Sequence, residues 1–235
     1  MNEIVEINDL KVEVRRSPRR RTVDLIVDRF GDLVINVPQA LPHAEIESIV
    51  RRKQAWIYTK VGQKEIVLSA SGNKEYVTGE GFYYLGKKYR LKLFEPDATT
   101  PVPPLRLING RFWLVRSDAN RGRDHFIRWY TRQGQAWITD KILPLKERVL
   151  AEPRSIAIRD LKYLWGSCNA NGDMYFHWRV MLLPPQVIRY LLIHELIHLR
   201  EHNHSAAFYE HLRRAVPDYR ETEKWLEANG DHYAL

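Results

Sequence analysis

The sequence predicts an α+β fold. A β-rich N-terminal part with one helix, residues 1–118, precedes a mainly helical part, residues 119–235, that carries a small edge sheet. Three observations predict this. Apolar residues alternate with polar ones at period two over much of the first half. From about residue 121 onward they recur at three- and four-residue steps, the spacing of a helix face. An apolar run, 187–193, then leads into His194-Glu195-Leu196-Ile197-His198, so a buried helix carries three chemically active side chains.

Taken in order, Val12 and Val14 alternate with charged residues, as do Val23, Leu25 and Val27 and then Leu33, Ile35 and Val37. Each set reads as a strand with one buried face. Phe30-Gly31-Asp32 reads as a hairpin turn. Arg15-Arg16-Ser17-Pro18-Arg19-Arg20-Arg21 joins two strands. Pro and Ser mark a turn there and like charges repel, which favours a solvated tip over a phosphate contact. Pro38 ends the third strand. A helix follows from Pro42 to about Lys60, because Ile46, Ile49, Val50, Ala55 and Ile57 keep helical spacing, and Trp56 is expected to pack inward.

A second β group comprises Phe82-Tyr83-Tyr84-Leu85 and Tyr89-Arg90-Leu91-Lys92-Leu93, joined by a turn at Gly86-Lys87-Lys88. The Pro- and Thr-rich stretch 96–104 is a loop. Asn109-Gly110, flanked by 105–108 and 112–115, fits a type I′ hairpin. Residues 121–150 form a helix that Gly134 and Pro144 are expected to bend or divide. Its aromatic stripe, Phe126, Trp129, Tyr130 and Trp137, is expected to pack in the core against the helix of the H-E-x-x-H pattern. Residues 155–159 and 174–179 read as strands, with a turn at 169–173. Pro184-Pro185 opens the helix that carries His194, as Pro does in a first turn. Two further helices follow, one with Phe208 and Leu212 on a common face, the last restarting after Pro217.

Composition bounds the function. With 44% hydrophobic and 11% aromatic residues in 235, the chain can bury a core. Cys168 is the one cysteine, so no disulfide forms within the chain and a reducing, cytoplasmic setting is expected. No apolar stretch approaches the ~18 residues of a membrane span, and Met1-Asn2-Glu3-Ile4 does not open a secretory signal. The net charge of +8 attracts polyanions, so weak nucleic-acid association is expected, without any fingerprint motif for it.

His194 and His198 stand four residues apart, which puts both on one helix face about one turn apart. Two imidazoles so placed hold a metal ion, and Glu195 beside them serves as a general base. Burying these groups in an apolar helix is costly without a partner, and a divalent cation is the simplest one. Glu201, His202 and His204 are candidates for the third ligand. A straight row of three fits one tetrahedral ion poorly, so His204, reached after the chain turns at Asn203, is preferred, with Ser205 as the next N-cap. The fourth position is left to water, which a catalytic zinc needs. Cys168 as a fourth ligand would close it. Trp165, Gly166, Ser167 and His177 are expected to line the substrate cleft. An extended peptide there adds to the sheet edge as a further strand.

Trp165-Gly166-Ser167-Cys168, Phe176-His177-Trp178-Arg179, the helix with His194-Glu195-Leu196-Ile197-His198-Leu199, and Asn203-His204-Ser205 with Phe208 together resemble the YgjP-like metallopeptidases, which are grouped with SprT-like and WLM-type zinc proteases. The likeness is dense over the C-terminal third and looser elsewhere. It implies a zincin-like C-terminal part, zinc on His194, His198 and His204, and Glu195 as catalytic base. The chain departs from that pattern at Tyr163-Leu164, at His177, where Asn is more usual, and at Glu201, where the related metzincin pattern has a turn Gly. Zinc-dependent peptide hydrolysis is therefore the expected activity, on a protein or peptide substrate. A basic nucleic-acid-associated module with a structural, four-ligand zinc is the alternative, and a protease acting on nucleic-acid-bound proteins combines the two. His177, Tyr209 and His211 are candidate oxyanion donors.

Overall fold

The computed structural model describes residues 3–7, 10–27, 32–58, 60–61, 74–97, 101–161 and 164–235. The chain divides into two compact units, Met1–Gly72 and Asn73–Leu235.

The first unit is a four-stranded sheet in the order β1-β2-β4-β3, from β1 (Glu3–Ile7), β2 (Leu10–Ser17), β3 (Asp24–Val27) and β4 (Leu33–Pro38). β2 and β4 are parallel and the other pairs antiparallel. The alternating Val12, Val14, Ile35 and Val37 are all buried, and Ile46 and Val50 of α1 (His43–Arg52) join them in one core. The basic stretch is divided. Arg15 bonds the Glu13 carboxylate, and Arg16 reaches Glu3 and the carbonyls of Gln39 and Leu41, whereas Arg19 and Arg21 are exposed. Phe30 and Gly31 of the expected turn lie outside the described residues, as do Tyr163 and part of the 96–104 loop. Trp56 corrects its expectation. It is 40% exposed, and Ile57 is the buried residue, because Ile57 stands seven residues after Val50 and so shares its helix face, whereas Trp56 falls about 120° away from it.

In the second unit, β5 (Gly81–Tyr84), β6 (Lys87–Phe94), β7 (Leu105–Ile108) and β8 (Arg111–Val115) form a sheet in the order β5-β6-β8-β7. Asn109 and Gly110 have φ of 48° and 71°, the two positive values that a type I′ turn requires. The first hairpin turns one residue earlier than expected. Leu85 and Gly86 take the positive φ, and Lys87 and Lys88 belong to the strand. This turn positions the site. The Leu85 and Gly86 amides donate to the Met181 and Leu182 carbonyls, and a Cβ on Gly86 would sit 2.9 Å from Pro184 Cα at the head of the histidine-bearing helix.

The inner face of this sheet stacks on α2 (Gly122–Val149): the Phe82 and Phe126 rings lie 4.1 Å apart, and Phe112 meets Trp129 edge-on at 5.0 Å. The division expected at 118/119 therefore falls inside one core, since β5–β8 bury their apolar face on α2. α2 also runs unbroken through Gly134 and Pro144. Gly134 gives room to Met181, whose Cγ would lie 3.0 Å from an added Cβ. Pro144 is on the exposed face, where the carbonyl it frees can meet water.

A three-stranded sheet, β10-β11-β9, completes the unit, from β9 (Ser155–Arg159), β10 (Gly166–Cys168) and β11 (Asp173–His177). Asp173 fastens its turn. The buried carboxylate accepts from Arg154, from the Ser155 hydroxyl at 2.7 Å and from the Asn169 amide at 3.1 Å. These bonds, Arg154 foremost, hold its pKa well below the usual carboxylate value. A depressed folded-state pKa stabilises above the unfolded value of ~3.9, and the contribution is lost as pH falls below it. Asp173→Asn is therefore expected to lower the thermal midpoint by several degrees at neutral pH. The gap from wild type should narrow below about pH 4, read by calorimetry across pH. Three helices close the chain: α3 (Pro185–Ile197), α4 (Ala206–Ala215) and α5 (Tyr219–Asn229).

Candidate active site

The site begins in α3, which is buried almost all round. His194 lies in its last turn and His198 is its C-terminal cap. The chain then leaves the helix through a turn in which the Arg200 and Glu201 amides both bond the Ile197 carbonyl. The helix thus ends before Asn203, and Asn203 has no left-handed backbone among the positive-φ residues. Ser205 caps α4 as expected, its hydroxyl accepting from the Phe208 amide at 3.2 Å. That cap brings His204 back over the end of α3.

The three imidazoles converge. Their facing nitrogens lie within 4.8 Å of one another, and His204 Nε2 is 3.1 Å from His194 Nε2. The ring centroids stand 4.8–5.0 Å apart. Phe208, fully buried, packs against all three at 4.6–4.9 Å and forms their apolar floor. Burial, and then mutual repulsion, takes His194 down to about 3. Burial also lowers His198 and His204. All three are therefore neutral near pH 7, the state in which imidazole ligates. His198 Nδ1 lies 2.9 Å from the Glu201 carbonyl and donates to it, which leaves Nε2 as the donor atom toward the cluster.

Glu195 is 6% exposed, and burial alone raises its pKa to about 8. It lines a cleft of about 400 Å³ with Trp165, Gly166, Tyr190, Leu191 and His194 on one side and Glu223, Leu226 and Glu227 of α5 on the other. Gly166 makes space for it: a Cβ there would lie 2.8 Å from Glu195 Oε1.

The family model described as YgjP-like, metallopeptidase domain, matches residues 21–229. The chain belongs to the YgjP-like family. It is a metallopeptidase and hence a metal-dependent hydrolase. The crystal structure of the metallopeptidase zymogen of Pyrococcus abyssi abylysin is similar over 37% of this chain and 89% of that one, at 25% identity and a TM-score of 0.35. A search of curated proteins finds no match.

A YgjP-like metallopeptidase needs a divalent metal, and the residues present fit one. The donor set is three neutral imidazoles whose nitrogens face a common point. Among the described residues this metallopeptidase gathers three such donors at the site. His202 is exposed and turns its Nδ1 to the His198 carbonyl, Glu201 bonds Ser205, and Cys168 turns to the Asn169 carbonyl. The Cys168 thiol is pushed up to about 11, chiefly by burial.

Of the residues expected in the cleft, Trp165 and Gly166 line it; Ser167, between Gly166 and Cys168 on β10, does not. His177 does not line it either. It is 1% exposed, its Nδ1 accepts from the Arg179 amide at 3.0 Å, and its Nε2 lies 3.1 Å from Asp160 Oδ1. With Nδ1 accepting, Nε2 is the protonated nitrogen and donates to that carboxylate. Tyr209 and His211 are also absent from the lining. Tyr190, Glu223 and Glu227 were missed. Tyr190 had a signal: it stands four residues before His194, on the same helix face. The two glutamates come from the last helix, and nothing in their spacing ties them to the histidines.

The Gly166 contact yields a prediction. Gly166→Ala is expected to displace the Glu195 carboxylate and lower kcat about tenfold to a hundredfold while bound metal is unchanged, since displacement by ~1 Å can cost that much. Peptide hydrolysis paired with elemental analysis checks it.

Proposed function

We propose that the chain is a zinc-dependent peptidase in which His194, His198 and His204 hold the ion and Glu195 is the general base. The observation that carries this is the convergence of three neutral imidazoles beside a buried carboxylate that opens on a cleft. When bound, zinc supplies Lewis acidity and brings the pKa of water down to ~7. Glu195 takes the proton of the attacking water and passes it to the leaving amine. Burial raises its proton affinity, which suits a group that must both accept and donate. Tyr190, 4% exposed, lies on the cleft wall within one turn of His194, and its hydroxyl supplies a second hydrogen bond to the oxygen that gains charge. β10 is an edge strand of its sheet, and an extended peptide adds along it. Trp165 and Leu226 give the cleft an apolar lining for a substrate side chain.

Three protein donors leave a coordination place open, which favours this reading over a structural, four-ligand zinc. The test is hydrolysis of an unfolded protein such as casein by the zinc-loaded chain. Cleavage should stop with a chelator and return with added zinc. Cleavage that persists in protein shown to be metal-free overturns the proposal.

A further inference from the structure

The β5–β8 sheet has a second face. Its inner side is apolar, with Phe82, Leu91, Phe112 and Leu114 buried on α2. Period two turns Arg90 and Lys92 of β6, Arg106 of β7, and Arg111 and Trp113 of β8 the other way. Register sets these side by side: Lys92 pairs with Trp113, Trp113 with Arg106, and Arg90 with Arg111. Cations lie over the rings. Lys92 Nζ is 4.3 Å from the Trp113 centroid, and the Arg106 guanidinium is 4.7 Å from that of Phe94. Phe94 and Trp113 meet edge to face at 5.8 Å.

The face is basic without local compensation. Residues 81–115 hold six Lys and Arg against two Asp and Glu. Among the described residues none of Arg90, Lys92, Arg106 and Arg111 forms an ion pair, and Glu95 at the sheet end is paired with Arg116. Arg90 bonds only a carbonyl, that of Gly79, and Arg106 Nε is buried with no partner. Arg90 directly opposite Arg111 costs stability, as like charges across a strand pair do. A sheet that keeps such a pair and unpaired cations beside two aromatic rings has the chemistry of a polyanion platform with stacking surfaces.

We infer that the outward face of the β5–β8 sheet docks single-stranded nucleic acid, with Lys92, Arg106, Arg90 and Arg111 on phosphates and Trp113 and Phe94 stacking on bases. A single strand fits this chemistry because its bases are free to stack, whereas a duplex encloses them. On binding, Lys92 leaves the Trp113 ring for a phosphate and uncovers that ring. The Arg106 guanidinium offers a planar surface of its own. This inference is independent of the peptidase reading.

The test is fluorescence anisotropy of a labelled oligo(dT) of about 20 nucleotides with the full chain at about 50 mM salt. Binding is expected, weakening with salt and tighter than to a duplex of the same length. Lys92→Glu with Arg106→Glu should raise Kd at least about tenfold and flatten the salt dependence. Arg19→Glu with Arg21→Glu makes the same charge change in the first unit and should shift Kd less than about threefold. Trp113→Leu should weaken binding about tenfold with the salt slope unchanged, because stacking releases no counterions. Thermal midpoints verify that each variant is folded. Equal losses from the two charge reversals, equal binding of duplex or polyglutamate, or no binding at all would overturn the inference.

Discussion

Replacing Glu195 with Gln is expected to lower kcat for peptide hydrolysis about 10²–10⁴-fold, the range that positioned acid–base groups contribute, with zinc content unchanged. The amide matches the carboxylate in shape and can still hydrogen-bond, but it cannot accept a proton. The side chain is almost wholly buried, and burial already resists its ionisation. An uncharged amide is easier to bury than a carboxylate. The variant should therefore unfold at the wild-type temperature or above it. A kinetic loss without a stability loss separates the chemical role of Glu195 from a packing role. Wild-type turnover in this variant would remove Glu195 as the base.

His204→Ala is expected to cut zinc affinity by at least about a hundredfold, more than the 10–100-fold that changes to outer-shell partners cost, and to abolish hydrolysis at low free zinc. His204 stands outside α3, and its Nε2 lies 3.1 Å from that of His194. Without it two donors remain, both on one helix end. His202→Ala is the control. That ring is exposed and turned to a backbone carbonyl, so zinc affinity and activity should hold. Competition against a chromophoric chelator reads both variants.

The histidine cluster was legible because helical spacing fixes it. A four-residue step defines a face, and the poor fit of a straight row of ligands pointed to His204 rather than His202. Ser205 was legible as a cap for the same local reason. What stayed hidden depends on tertiary choice. Tyr190 reads as one more member of an apolar run until the cleft shows what it faces. Glu223 and Glu227 arrive from a helix about 30 residues downstream of Glu195, a separation no periodicity spans.

His177 was misread for a different reason. Alternation along a strand says that a residue faces one side, but not which partner waits there. Here Asp160 and the Arg179 amide are among the partners, and His177 is absent from the cleft lining. Trp56 faces outward for a local reason: the seven-residue step from Val50 falls on Ile57, and Trp56 lies off that face. The second β group looked like a continuation of the first because both alternate. Only the burial of Phe82 and Phe112 on α2 shows that it belongs with the histidine-bearing helix.

The proposed zinc site is a set of three imidazoles that leaves one place on the ion for solvent or substrate. X-ray absorption fine structure at the zinc edge of the loaded protein tests it most directly. Three imidazole nitrogens and one further light atom, unchanged in Glu195→Gln and reduced by one imidazole in His204→Ala, is the predicted result. A sulfur scatterer, or a fourth protein ligand that closes the shell, would contradict it.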